Sequence, residues 1–170
     1  MSQQLGLEEA IDIAMDAELK AQAFYAQAAV EIQDPAGRDL LGRLAAFEQY
    51  HYQRLAELVS SLRTTGRFIA YQPRAVEQFR PLGESQISVQ ATAGSAPLRD
   101  VVDILSLAIA KEKEAGERYQ VLAETTTDAD GQAMFRNLAN EELLHQRILE
   151  DEFFSLSNRG VWGWSGLYGE

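Results

Sequence analysis

The sequence predicts an all-α protein, a four-helix bundle made of two repeated helical hairpins with a long crossover between the second and third helices. Apolar residues recur every three or four positions in four stretches, the pattern of helices that bury one face. The stretches form two closely spaced pairs, and the second pair repeats the first at a constant offset of 94 residues, as from Glu48 to Glu142. A chain of 170 residues suits one domain with a sizeable core.

The first predicted hairpin joins a helix at about 5–32 to a helix at about 35–63. Asp34 can accept hydrogen bonds from the free N–H groups at the start of the second helix, and Pro35 suits the first helical turn. The short link between the two helices favours antiparallel neighbours.

Residues 64–95 lack a sustained helical period, and we expect them to cross the length of the bundle. The third helix is predicted to begin near the segment SAPLRD and the fourth after TTTDADG. The bundle is predicted to span 1–152, followed by a tail at 153–170 that lacks a helical pattern and packs on the outside of the bundle or at a subunit contact; the alternative is a tail that docks a partner. The aromatic residues expected to make that contact are Trp162, Trp164 and Tyr168.

The repeat conserves polar residues as well as core positions. The chain has two histidines, and each follows a glutamate by three residues, so that both side chains share one helix face. The helical stripes that carry the apolar residues also pass through these groups. The polar pairs related by the offset are Glu18 with Glu112, Tyr25 with Tyr119, Glu48 with Glu142, and His51 with His145.

These inward carboxylates and imidazoles indicate a metal site. Burying an ionised carboxylate costs several kcal/mol, so four of them unpaired would rival the stability of the whole domain. Two divalent ions would balance the four negative charges, and neutral imidazoles would complete the coordination. A carboxylate-rich set suits iron, with manganese as a possibility, better than zinc or copper. The predicted ligands are Glu18, Glu48, His51, Glu112, Glu142 and His145.

Two further sets of polar residues lie near these helices. Tyr25 and Tyr119 each follow a predicted ligand by seven residues, and their phenols could donate hydrogen bonds to ligand carboxylates or supply an electron. As plain core tyrosines they would still need a polar partner. The other acidic residues of the third and fourth helices are expected to be solvated surface or to lie beyond the site. They are Glu114, Glu117, Glu141, Glu150 and Glu152.

Composition narrows the classes of function. A formal net charge of -11 disfavours binding to nucleic acid or to anionic lipid, because both depend on clustered lysine and arginine. Without cysteine the chain has no disulfide, thiolate nucleophile or iron–sulfur cluster. The start of the sequence lacks the pattern of a signal peptide, and no apolar run is long enough to span a membrane, so we expect a cytoplasmic protein.

The chain resembles the rubrerythrin branch of the ferritin-like superfamily. The resemblance lies in the segments AELKAQAFY, LAAFEQYH, AKEKEAGERY and LANEELLH, which contain the six predicted ligands. A glutamate from each of two helices and a Glu-x-x-His motif from each of the other two is the ligand pattern of ferritin-like di-iron bundles. The resemblance implies a di-iron centre whose reduced form reacts with hydrogen peroxide or oxygen, an external electron donor, and a homodimer or small oligomer.

Several residues depart from the patterns of known branches. Rubrerythrins typically carry a cysteine-rich rubredoxin domain, and they place an additional glutamate where this chain has Ala115. Bacterioferritins have a haem-binding methionine where this chain has Gln49, and their cage requires a fifth helix that the tail does not suggest. Demethoxyubiquinone hydroxylases share the ligands but have a membrane-facing apolar surface. Peroxidase or ferroxidase activity therefore ranks first, iron storage second, and a structural or partner-binding bundle third.

Overall fold

The computed structural model describes residues 6–70 and 98–163, with side chains in the second range from residue 101. The described residues form four helices and no strand, which confirms the predicted all-α fold. Most of the predicted crossover, as well as Trp164 and Tyr168, lies outside the described residues. The helices are α1 (Leu7–Glu31), α2 (Pro35–Thr65), α3 (Leu98–Thr125) and α4 (Ala129–Arg159).

Both hairpins turn at an aspartate that caps the second helix. The Asp34 carboxylate accepts hydrogen bonds from the backbone N–H groups of Ala36 (2.8 Å) and Gly37 (3.2 Å). Asp128 accepts one from the N–H of Gly131 at 2.9 Å. These bonds satisfy donors that have no partner within the helix, so the links between paired helices are well defined.

The helices bury two apolar clusters with a polar layer between them. Helix α1 packs along α2, α3 packs along α4, and α1 also meets α3. One cluster includes Leu44, Leu105 and Leu149, and the other includes Leu55 and Leu138. None of the helices within residues 6–70 and 98–163 is both long and apolar enough to cross a lipid bilayer.

The chain beyond α2 folds back onto the start of α4. Gly66 ends α2 with φ 68°, in the left-handed region that glycine adopts without steric cost. Two residues later, Phe68 lies against Gly131 so closely that a Cβ atom there would overlap its ring. Glycine at this position is therefore required by the packing of the aromatic ring.

The chain beyond α4 repeats this arrangement. Helix α4 continues to Arg159, seven residues beyond the predicted end of the bundle at 152, because Ser155 and Leu156 remain buried and extend the inward stripe. Gly160 ends the helix with φ 70°, and the ring of Trp162 then covers Gly37. We call these two contacts, Phe68 on Gly131 and Trp162 on Gly37, the aromatic clamps.

Candidate metal centre

All six predicted ligands converge in the polar layer between the two apolar clusters. Each is at most 2% exposed, and each comes from the face that its helix turns toward the bundle axis. Helices α1 and α3 contribute one glutamate each, while α2 and α4 each contribute a glutamate and a histidine one turn apart. The layer consists of Glu18, Glu48, His51, Glu112, Glu142 and His145.

The six side chains form two overlapping groups, each able to hold an ion. Within each group one ligand atom per residue lies within 4.8 Å of the others. Both groups contain Glu48 and Glu142, so two ions would share these carboxylates. The His51 half-site consists of Glu18, Glu48, His51 and Glu142; the His145 half-site consists of Glu48, Glu112, Glu142 and His145.

The imidazole rings face the carboxylates through the same nitrogen. His51 Nδ1 lies 3.0 Å from Glu142 Oε1, and His145 Nδ1 lies 3.1 Å from Glu142 Oε2. The two rings are nearly parallel, with an interplanar angle of 17° and centroids 5.7 Å apart. Each oxygen of the shared Glu142 carboxylate therefore has an imidazole nitrogen close to it.

Two buried atoms in the layer test whether the residues fit a metal. Among the described residues, neither His51 Nδ1 nor Glu142 Oε1 has a hydrogen-bond partner, although the two atoms are close. Buried polar atoms without such a partner are rare and costly. A cation between them would satisfy both atoms, so the residues fit a divalent ion.

The pKa values of Glu48, Glu112 and Glu142 are shifted because these carboxylates are buried beside other charged groups. Burial, and then the negative charges of Glu142 and Glu112, raise the pKa of Glu48 well above its usual value. Burial and the charge of Glu142 raise the pKa of Glu112 to about 7. Burial acts the same way on Glu142, but the positive charge of His51 and the hydrogen bond from His145 hold its pKa well below the usual range.

The histidines compensate for the carboxylates by holding protons. Burial lowers the pKa of His145, but hydrogen bonds to Glu112 and Glu142 outweigh it and raise that pKa to about 9. The pKa of His51 is also raised well above its usual value, because the charge of Glu142 and hydrogen bonds outweigh burial. Without metal, the layer balances its charge with protons that an ion would have to displace.

The two tyrosines hold carboxylates across the bundle. Tyr25 on α1 donates a hydrogen bond to Glu112 on α3, and Tyr119 on α3 donates one to Glu18 on α1. Burial and neighbouring carboxylates raise the pKa of both phenols well above the usual value, so the hydroxyl protons stay in place. The predicted polar partners are therefore ligand candidates of the opposite hairpin.

Two of the glutamates expected at the surface or beyond the site are buried: the expectation was wrong for Glu141, which lies beside the site, whereas Glu152 lies beyond it as expected but is not solvated. Glu141 is 8% exposed, and its carboxylate accepts a hydrogen bond from His51 Nε2 at 2.8 Å. Glu152 is 1% exposed and accepts one from the N–H of Gly163 at 2.8 Å. Glu141 contacts α2 of the other hairpin, and Glu152 contacts the segment after α4, so the period of α4 alone predicts neither contact. The exposed positions Glu114, Glu117 and Glu150 agree with the expectation.

Known proteins place the chain among bundles of this kind. The family model described as Rubrerythrin matches residues 1–59 and 103–159, which include all six residues of the layer. A solved structure, a hypothetical protein from Pyrococcus furiosus, is similar with a TM-score of 0.69 and 26% sequence identity, covering 91% of this chain and 92% of that one. No curated protein matches the sequence significantly. Because the family match spans well over half of the chain and both hairpins, this protein belongs to the rubrerythrin family.

Proposed function

We propose that this chain is a non-haem di-iron protein that reduces hydrogen peroxide or oxygen, as a peroxidase or ferroxidase in oxidative-stress defence or iron handling. The observation that carries the proposal is the pair of half-sites sharing Glu48 and Glu142 in a buried layer. Four carboxylates would neutralise two divalent ions, and a donor set dominated by oxygen favours iron, with manganese as the alternative.

The chemistry requires a two-electron donor in a site protected from water. Two bound ferrous ions would supply one electron each, and peroxide with two protons would then yield two water molecules. The chain holds Glu18 and Glu112 from opposite sides, with the phenols of Tyr119 and Tyr25 hydrogen-bonded to them. These contacts orient the two carboxylates and keep a proton beside each of them.

Apolar packing above and below the layer would keep the reaction dry. The two apolar clusters flank the layer along the bundle axis, and all six candidate ligands are almost completely buried. Electrostatic interactions are stronger in such surroundings than in water, so the charges of ligands and ions would be tightly coupled. Re-reduction of the centre would depend on an external electron donor, since the chain has no cysteine to hold an electron-transfer cluster.

Metal analysis tests the site itself. Protein loaded with Fe(II) under argon should contain close to two irons per chain, whereas the double variant Glu48→Ala with Glu142→Ala should contain almost none. Glu114→Ala, which alters an exposed glutamate of α3, serves as the matched control. A wild-type value below one iron per chain, or equal values in the double variant and wild type, would contradict the proposal.

Rapid-mixing kinetics distinguishes the two oxidants. The diferrous protein should be oxidised faster by hydrogen peroxide than by air-saturated buffer at equal oxidant concentration. Faster reaction with oxygen would instead assign the ferroxidase activity. Loss of activity in Glu48→Ala would show that the observed reaction takes place at the layer of candidate ligands.

Iron storage is the second candidate, and the six-residue ligand set with Ala115 after Glu112 favours it. Storage requires a large hollow assembly, whereas we expect a peroxidase of this family to be a homodimer. Light scattering therefore separates them: a dimer supports the first proposal, and a 24-subunit particle would support storage.

A further inference from the structure

The two half-sites are equivalent in their candidate ligands but differ in the residue that one repeat-related position places beside each imidazole. Glu141 precedes Glu142 on α4, and its carboxylate lies 2.8 Å from His51 Nε2 on α2. The position that the 94-residue offset relates to Glu141 is Phe47. Its ring meets the His145 imidazole edge-on, at an interplanar angle of 75° and a centroid distance of 5.0 Å.

We propose that Glu141 positions His51 for metal binding, so that the His51 half-site takes up the first of two divalent ions. This inference rests on the metal site proposed above. It concerns the order of binding and the residue that sets it.

The contact with Glu141 determines which nitrogen of His51 carries the hydrogen. A carboxylate can only accept at this distance, so His51 Nε2 donates to Glu141. In the neutral ring the lone pair is then on Nδ1, which faces Glu142 at 3.0 Å and Glu48 at 3.6 Å. The contact therefore selects the tautomer that can bind a metal and points it into the layer.

The hydrogen bond between Glu141 and His51 also affects the affinity of the His51 half-site for metal. His51 is fully buried, so water offers no easy substitute for the carboxylate. A hydrogen-bonded carboxylate fixes the ring orientation and makes the coordinating nitrogen more basic, and loss of such a partner typically costs about 10–100-fold in metal affinity. Glu141 would therefore raise the metal affinity of the His51 half-site.

The candidate ligands themselves cannot provide a difference in metal affinity between the two half-sites. Glu48 and Glu142 belong to both half-sites, and Glu18 and Glu112 are each hydrogen-bonded to a tyrosine in the same way. The phenyl ring at position 47 offers no carboxylate to the other imidazole. The different residues at the related positions 47 and 141 therefore distinguish two half-sites that are otherwise matched.

Calorimetric titration of the metal-free protein with Mn(II) under argon tests the inference without any activity measurement. Wild type should bind two ions in two phases. Glu141→Gln, which keeps the shape but removes the charge, should weaken the first phase by about 10–100-fold and leave the second within about threefold. Glu141→Leu should weaken it at least as much, and Phe47→Glu should bring the second phase closer to the first.

Glu150→Gln is the control, because it removes an exposed carboxylate from the same helix. Circular dichroism verifies that each variant is folded, and the near-isosteric Glu141→Gln keeps the test available if Glu141→Leu does not fold. Two equal phases in wild type, or a first phase in Glu141→Gln within threefold of wild type, overturn the inference alone. A wild-type chain that binds no Mn(II) and no Fe(II) overturns the proposed function, and this inference with it.

Discussion

The first hairpin, α1 with α2, and the second hairpin, α3 with α4, place the same side chains in the metal layer but different ones behind it. At the two positions where the second hairpin buries Glu141 and Glu152, the first has Phe47 and Leu58, both also buried. The six layer residues and the two tyrosines have no such mismatch. Residues that would bind shared ions are thus constrained in both halves, whereas the residues packed behind them were free to diverge.

The similarity of the hairpins extends to their ends. Ser61 donates a hydrogen bond to the carbonyl of Arg67 at 2.8 Å, and Ser155 donates one to the carbonyl of Val161 at 2.9 Å. The aromatic clamps follow the same offset, with Phe68 related to Trp162. Each clamp joins the end of one hairpin to the start of the other's second helix. The repeated unit therefore includes the turn after α4 and is longer than its helices alone.

The largest expected effect separates shared ligands from unshared ones. Either Glu48→Ala or Glu142→Ala should abolish binding of both ions, because each carboxylate belongs to both half-sites. Glu18→Ala and Glu112→Ala should each reduce the Fe(II) content from about two ions per chain to about one. Equal iron contents in all four variants would contradict the assignment of shared carboxylates.

The next effect concerns protons that the metal must displace from both hairpins. With a pKa of about 9, His145 is protonated at neutral pH in the metal-free protein, and each ion bound there must release that proton. Affinity for Mn(II) should therefore increase with pH, by roughly 30-fold between pH 6.5 and 8 from this group alone. Calorimetry in buffers of different ionisation enthalpy measures the release directly. Binding without proton release would contradict the raised histidine pKa.

The aromatic clamps should stabilise the two halves to a similar extent. Phe68→Ala and Trp162→Ala each remove a ring packed on a helix glycine and should lower the free energy of unfolding by about 2 kcal/mol. Urea unfolding of the metal-free protein measures both. Phe154→Ala removes a ring that is 60% exposed and should change stability by less than about 0.5 kcal/mol. A large difference between the two clamp variants would show that the repeated contacts are not energetically equivalent.

The smallest effect concerns Glu152, where the first hairpin has Leu58. Burial, partly offset by the hydrogen bond from Gly163, raises the pKa of Glu152 to about 7. The folded protein then holds this proton more tightly than the unfolded chain, so stability from this group is present below pH 4.5 and is lost as pH rises through 7. Glu152→Gln should remove most of that loss, measured as the difference in unfolding free energy between pH 5 and 8. An unchanged pH dependence would contradict the raised pKa.

Much of the fold could be predicted because helix periodicity is a local property. Asp34 and Asp128 mark helix starts, and the spacing of Glu48 with His51 puts both on one face in any helix. The end of α4 was missed although the sequence contains a signal for it: Ser61, Leu62 and Gly66 have identical counterparts 94 residues later. Extending the repeat comparison past the predicted helices would have predicted the end of α4 and the turn after it.

The sequence by itself determined the four helices, the repeat and the six polar residues that turn inward, because each depends on the order of residues along a single helix. Only the tertiary structure decided that Glu141 reaches His51, that each tyrosine holds a glutamate of the opposite hairpin, and that Trp162 covers Gly37. These contacts join residues of different hairpins, and which of them meet depends on how one hairpin is rotated and displaced against the other. The period of a single helix contains no information about that arrangement.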